Sequence, residues 1–185
     1  MPYIYWDSTY ILVVIGAVIC MIASARVKTT FNKYSAYRSM SGMTGAQAAE
    51  RILHAAGIYD VRVQHVSGNL TDHYNPANKT LNLSDSVCNQ TSVAAVGVAA
   101  HECGHAIQHA RGYVLFQLIT LPVEFDASRR AMVQLREQGI LGDQELHYTR
   151  KVLTAAALTY VASAAAAILQ LLRIVLLFGG RSRDD

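Results

Sequence analysis

Three kinds of hydrophobic pattern follow one another along the chain. Residues 10–25 are almost continuously apolar, and residues 4–6 can extend the run to about the 20 positions that cross a hydrocarbon core. In residues 44–57 the apolar positions Ala48, Ile52 and Ala55 recur at helical spacing, with Thr44 placed to cap and Gly57 to stop the helix. Residues 61–66 switch to period two and end in Ser67-Gly68-Asn69, which predicts a strand and a turn. Residues 72–79 contain Asn75-Pro76 and Asn78 and read as a loop, and residues 80–83 alternate again as a second strand. A long helix is expected to start near residues 84–86, with Ser84 or Ser86 as cap, and to end at Gly112. Residues 113–123 are apolar but too short to cross a membrane. Past Pro122, residues 123–138 predict a helix that Gly139 ends.

The last pattern, residues 146–178, carries only Arg173 as a charge beyond Val152 and reads as a second span. Ala155, Thr159, Ser163 and Ala167 fall four apart on it, and small residues so spaced let two helices approach closely in a bilayer.

Composition agrees with these spans. Apolar residues make up 52% of the 185 residues and charged residues only 16%, too few for the surface of a small water-soluble domain. Ala23-Ser24-Ala25 resembles a signal-peptide cleavage site. However, no Lys or Arg precedes the first run, while Arg26, Lys28 and Lys33 follow it at once. That flank predicts a retained span with its C-terminal side facing the cytoplasm. Arg150 and Lys151 before the last run, and Arg181 and Arg183 after it, leave its direction open. The net charge of +3 is scattered, without the basic stripe of a nucleic-acid binder. Cys20, Cys88 and Cys103 form no disulfide framework.

The candidate chemistry lies in His101-Glu102-Cys103-Gly104-His105. On a helix, His101 and His105 project from one face within a turn and can take two corners of a zinc tetrahedron. Glu102 lies beside an open corner, where a carboxylate can accept a proton from water and pass it to a leaving amine. The apolar lead-in, residues 94–100, predicts a buried helix, and buried His-Glu-His groups need a partner. A third ligand is required. Gln108 and Arg111 stand where a further glycine and histidine would make a three-histidine site, so that pattern is excluded. Glu124, at the head of the next helix, is the favoured oxygen ligand, with Asp126, Glu137 and Glu145 as rivals.

Val98-Ala99-Ala100-His101-Glu102-Cys103-Gly104-His105-Ala106-Ile107-Gln108, together with Leu121-Pro122-Val123-Glu124-Phe125-Asp126-Ala127-Ser128-Arg129-Arg130-Ala131, resembles the YugP family of neutral zinc membrane peptidases. Asp72-His73-Tyr74-Asn75-Pro76 and the closing Leu-rich segment with Arg181-Ser182-Arg183-Asp184 extend the likeness over nearly the whole chain. The resemblance implies that His101, His105 and Glu124 hold zinc and that Glu102 is the catalytic base. It also implies a cytoplasm-facing site, similar in layout to the HtpX membrane proteases. The chain departs from the family in two places. An additional long hydrophobic segment between the two motifs is reduced here to residues 113–120, and Ser128 stands where related proteases often place an acidic residue.

The expected fold is α+β and predominantly helical, with a small sheet beside the active-site helix and membrane helices at both ends. The expected division is an N-terminal span over residues 1–26, a peptidase domain over 27–149 and a C-terminal membrane helix over 150–185. The expected function is a membrane-anchored zinc endopeptidase acting on membrane or misfolded proteins; the alternative is a non-catalytic membrane scaffold tied by zinc. Residues 80–83 are a candidate edge strand for an extended substrate. His73, Tyr113, Arg129, Arg130, His147 and Tyr148 are candidates to stabilise an oxyanion. His54 and His65 read as surface or strand residues, and His109 as the solvated end of its helix.

Overall fold

A computed structural model describes residues 7–112 and 120–179. The sequence expectations for residues 4–6, Tyr113, Arg181 and Arg183 fall outside them. Within the described residues the fold is mostly helical with a small sheet, and the elements run α1 Tyr10–Ser35, α2 Gly45–Ala55, β1 Arg62–His65, β2 His73–Asn75, β3 Thr80–Leu83, α3 Val93–Ala110, α4 Thr120–Glu137 and α5 Asp143–Gly179.

Local chemistry explains most of these boundaries. Thr44 and Gln47 form a capping box that satisfies two of the free amides opening α2. Pro122 sits in the first turn of α4, where a missing N–H costs nothing. Helix α3 starts later than its sequence suggests. Asp72 takes both the amide and the hydroxyl of Ser84, residues 85–91 turn, and Ser92 caps the helix by accepting from the Ala95 amide.

The three-stranded sheet has the order β1-β3-β2, with β3 parallel to β1 and antiparallel to β2. Every residue of β3 is buried. The strand expected to offer a free edge is therefore the centre of the sheet, with both its edges taken. The outer strands are β1 and β2, and the three residues of β2 carry no periodic signal and lie in the stretch read as a loop.

Buried Ala94, Ala95, Val96, Ala99 and Ala100 of α3 form the core with Ile52 and Leu53 of α2, Leu81 and Leu83 of β3, and Ala131 and Leu135 of α4. Helices α1 and α5 are different. Both are long and apolar enough to cross a membrane, and their apolar side chains, from Ile11 to Ile22 and from Ile168 to Phe178, point largely outward. They lie antiparallel. Tyr34 stacks on Tyr148 at one end, Gly16 meets Ala166 in the middle, and Asp7 pairs with Arg173 at the other. The small residues at this contact are Ala162 and Ala166. Ser163 and Ala167 of the expected stripe point outward, one position round the helix.

Candidate metal centre

Helix α3 carries His101 and His105 one turn apart, with their rings edge to face at 4.7 Å between centroids. Helix α4 packs across α3 and delivers Glu124 to both. Its Oε2 lies 3.1 Å from His101 Nε2 and 3.4 Å from His105 Nε2, and the two Nε2 atoms are 3.1 Å apart. The helices come this close because residue 104 is glycine: a Cβ there would stand 2.5 Å from the backbone oxygen of Ala127.

Each histidine is oriented from behind. Gln108 donates through Nε2 to the Val123 carbonyl at 2.9 Å and to Asp126 Oδ2 at 3.0 Å, which turns its Oε1 toward His105 Nδ1 at 3.1 Å. Since that oxygen can only accept, Nδ1 of the neutral ring holds the proton and Nε2 offers its lone pair. His101 Nδ1 lies 3.1 Å from Ser128 Oγ, so Ser128 itself supports His101 from the position noted as lacking an acidic residue. Asp126 acts through Gln108 instead, and is also paired with Arg129 and Arg130. Partial burial opposes its charge. Hydrogen bonds from Gln108, Arg129 and Arg130 outweigh that and hold its pKa at about 2.

The charges of the cluster reinforce one another. Burial disfavours ionised Glu124, yet the bonds from His101 and His105 bring its pKa down to about 2. Burial likewise opposes a charge on His105, but the bond to Glu124 and the carboxylates of Glu102 and Glu124 raise its pKa above the ordinary value. Among the described residues, His101, His105 and Glu124 are the one group of three potential ligands whose donor atoms all lie within 4.8 Å. Two imidazole nitrogens and a carboxylate oxygen, all aimed at one point and braced by further hydrogen bonds, suit zinc, and three is the number of protein ligands that catalytic zinc sites use.

Glu102 is buried beside the cluster, and its Oε2 accepts from the Tyr74 amide of β2 at 2.9 Å. Glu102 thus lies against the outer edge of β2. Tyr74 also bonds through its hydroxyl to His109 Nδ1 at 2.8 Å, so His109 ties α3 to β2 and is half-buried.

The structure separates the other candidates from the centre. Glu145 is buried elsewhere, accepting from the amides of Met40 and Gly142, and Glu137 is exposed. Tyr148 stacks on Tyr34 and Tyr37, and His147 and His73 are exposed. One residue that sequence reasoning passed over does lie near the site: Tyr160 of α5, close enough to Glu124 and Glu102 to feel both carboxylates.

A family model described as "Putative neutral zinc metallopeptidase" matches residues 9–115 and 111–179. "Putative membrane protease YugP" of Bacillus subtilis (strain 168) is 38% identical over 209 residues, covering 88% of this chain and 93% of that protein. That alignment is longer than the 185 residues here, so the relative has residues without counterparts in this chain, and the two family matches meet at residues 111–115, between the motifs. No solved structure matches. With a family match over most of its length and a zinc-ready cluster between α3 and α4, the chain belongs to the family of neutral zinc metallopeptidases that includes a named membrane protease.

Proposed function

We propose that the chain is a membrane-anchored zinc endopeptidase in which His101, His105 and Glu124 hold the metal and Glu102 is the general base. The observation that carries this reading is the convergence of the three ligand atoms on one point with a buried carboxylate beside them. When bound, zinc would supply Lewis acidity, lowering the pKa of water and polarising the scissile carbonyl. The residues do the rest. The Tyr74 amide holds Glu102 Oε2, leaving Oε1 to take a proton from the attacking water and return it to the leaving amine. Gln108 and Ser128 keep the Nε2 atoms aimed inward.

The bilayer is the second partner in this reading. The antiparallel contact of α1 with α5 puts Arg150 and Lys151 at the same end as Arg26, Lys28 and Lys33, so the positive flanks of both spans add on the side of the domain. A domain on that side faces the cytoplasm by the positive-inside rule.

Glu102→Gln separates binding from chemistry. The expected outcome is a folded protein that keeps its zinc and loses casein cleavage by at least about two orders of magnitude. Cleavage by Glu102→Gln at the wild-type rate contradicts the assignment of the base. Zinc retained with no Glu102-dependent cleavage of any substrate favours the scaffold.

A further inference from the structure

Three helices mark one level in the molecule. On α1, the outward apolar run ends at Ile22 and the exposed Arg26 and Lys28 follow. On α5, read in the opposite direction, Arg150 and Lys151 are exposed and give way to the outward Leu158 and Val161 and the apolar stretch beyond. On α4, Phe125 is an apolar side chain left 53% exposed, and one turn later the Arg129 side chain is 74% exposed. Phe125, Arg129, Arg150 and Ala157 line one shallow cleft between α4 and α5. Apolar groups therefore face out on one side of this level and guanidinium and ammonium groups on the other, on helices that do not follow one another in sequence. That is the signature of a boundary between hydrocarbon and headgroups. The opposite boundary is also marked. From Arg26 back to the Asp7–Arg173 pair α1 covers about 30 Å, one hydrocarbon thickness.

The metal centre can be placed against this level. Glu124 precedes Phe125, and Ser128, 3.1 Å from His101, lines the same cleft as Ala157 of α5. Interpolating between the contacts Tyr34–Tyr148 and Gly16–Ala166 sets Ala157 opposite Ala25, next to Arg26. Thr159, further along α5, lines a cavity of about 680 Å³ together with Ser24, Val27 and Lys28 of α1.

We infer that the catalytic centre sits in the boundary layer of the membrane and that its substrates are chains already held in the bilayer, cut in an extended stretch next to the point where they leave it. This inference rests on the peptidase reading for the cut and on the two spans for the level. A chain anchored in the same membrane is delivered at high effective concentration, whereas a soluble chain must bring its backbone down into the headgroups. Folded domains beyond the boundary are out of reach.

Two measurements test it. The first needs no metal. In liposomes, with Trp6→Phe removing the native tryptophan, lipids brominated along the acyl chains are expected to quench Phe125→Trp several-fold more than Tyr59→Trp, which lies on the exposed surface of the domain. Equal quenching at the two positions overturns the inference, whatever the activity. The second uses the zinc-loaded full chain and a single-span peptide carrying an unstructured casein segment, attached directly or through an about 30-residue Gly-Ser spacer. Cuts are expected within about ten residues of the span in both, with the span-free segment cleaved about tenfold or more slowly. Cut sites that move outward with the spacer, or a span-free segment cleaved as fast, overturn the inference and leave the peptidase reading standing. Absence of cleavage in every substrate, casein included, overturns both.

Discussion

Adding one methyl group at Gly104 is expected to weaken the metal centre without touching any ligand. A Cβ there would lie 2.5 Å from the carbonyl oxygen of Ala127 and 3.0 Å from its carbonyl carbon and Cα. All three are backbone atoms of a helix, so no side-chain rotation relieves the overlap. Restoring ordinary contact requires α4 to retreat by about 1 Å. Glu124 lies one turn before Ala127 on the same rigid helix and moves with it. Zinc accepts ligands only within about 0.2 Å of 2.0–2.2 Å, so a displacement of about 1 Å exceeds what the site tolerates. The zinc dissociation constant of Gly104→Ala is expected to rise by about 10–100-fold, equivalent to roughly 1.4–2.8 kcal/mol, the range seen when supporting residues of zinc sites are lost. Overpacking should also lower stability by about 1–3 kcal/mol. Gly97→Ala separates the two effects. Its Cβ would meet the buried Thr149 methyl of α5 at 2.7 Å, so it should destabilise the fold while leaving α4 in place. Competition against a chelator, with thermal unfolding in parallel, reads both quantities. Wild-type zinc affinity in Gly104→Ala, or an equal loss in Gly97→Ala, would refute the reasoning.

Tyr160→Phe removes a hydroxyl close to the Glu124 carboxylate and is expected to weaken zinc binding by up to about tenfold with little change in melting temperature; unchanged affinity and turnover would remove Tyr160 from the site. Gln108→Leu frees the His105 ring and is expected to cost about 10–100-fold in zinc affinity, and equilibrium dialysis giving the wild-type value would show that the brace is idle. The metal-free protein should be most stable in mildly acidic solution. Glu124 and Asp126 have pKa values of about 2 in the folded chain, below the ordinary 4.5 and 3.8, so their stabilisation is complete above about pH 5 and lost as pH falls through that interval toward 2. His105 has the opposite sign: its pKa is raised above 6.5, so its contribution is complete below that pH and lost as pH rises through the folded value. Melting curves of the chelated protein from pH 2 to 8 check both limbs, and Glu124→Gln should flatten each; a flat profile in the unmodified chain would contradict this electrostatic account.

Much of this architecture can be read from the sequence where the signal is local. The capping box of Thr44 and Gln47, the alternation in β1 and β3, and the four-residue spacing of His101 and His105 are all short-range patterns, and each has its element in the structure. What was not legible depends on partners distant in the chain. Period two identifies β3 as a strand but not its neighbours, so its central place between β1 and β2 follows only from pairing. Strand β2 exists because His73–Asn75 pairs with Thr80–Asn82 and because Tyr74 gives its amide to Glu102, 28 residues away. The cap expected at Ser84 or Ser86 is instead Ser92, because Asp72 claims Ser84 and a turn follows before the helix begins. Tyr160 comes close to Glu124 only through the packing of α5 on α4.

The most direct test of the account is zinc stoichiometry by elemental analysis of the purified wild type beside Glu124→Ala. The account predicts close to one zinc per chain in the wild type and a large loss in Glu124→Ala, since three converging ligands become two. A wild type without zinc, or a Glu124→Ala variant that retains it in full, would contradict the claim that His101, His105 and Glu124 form the metal centre.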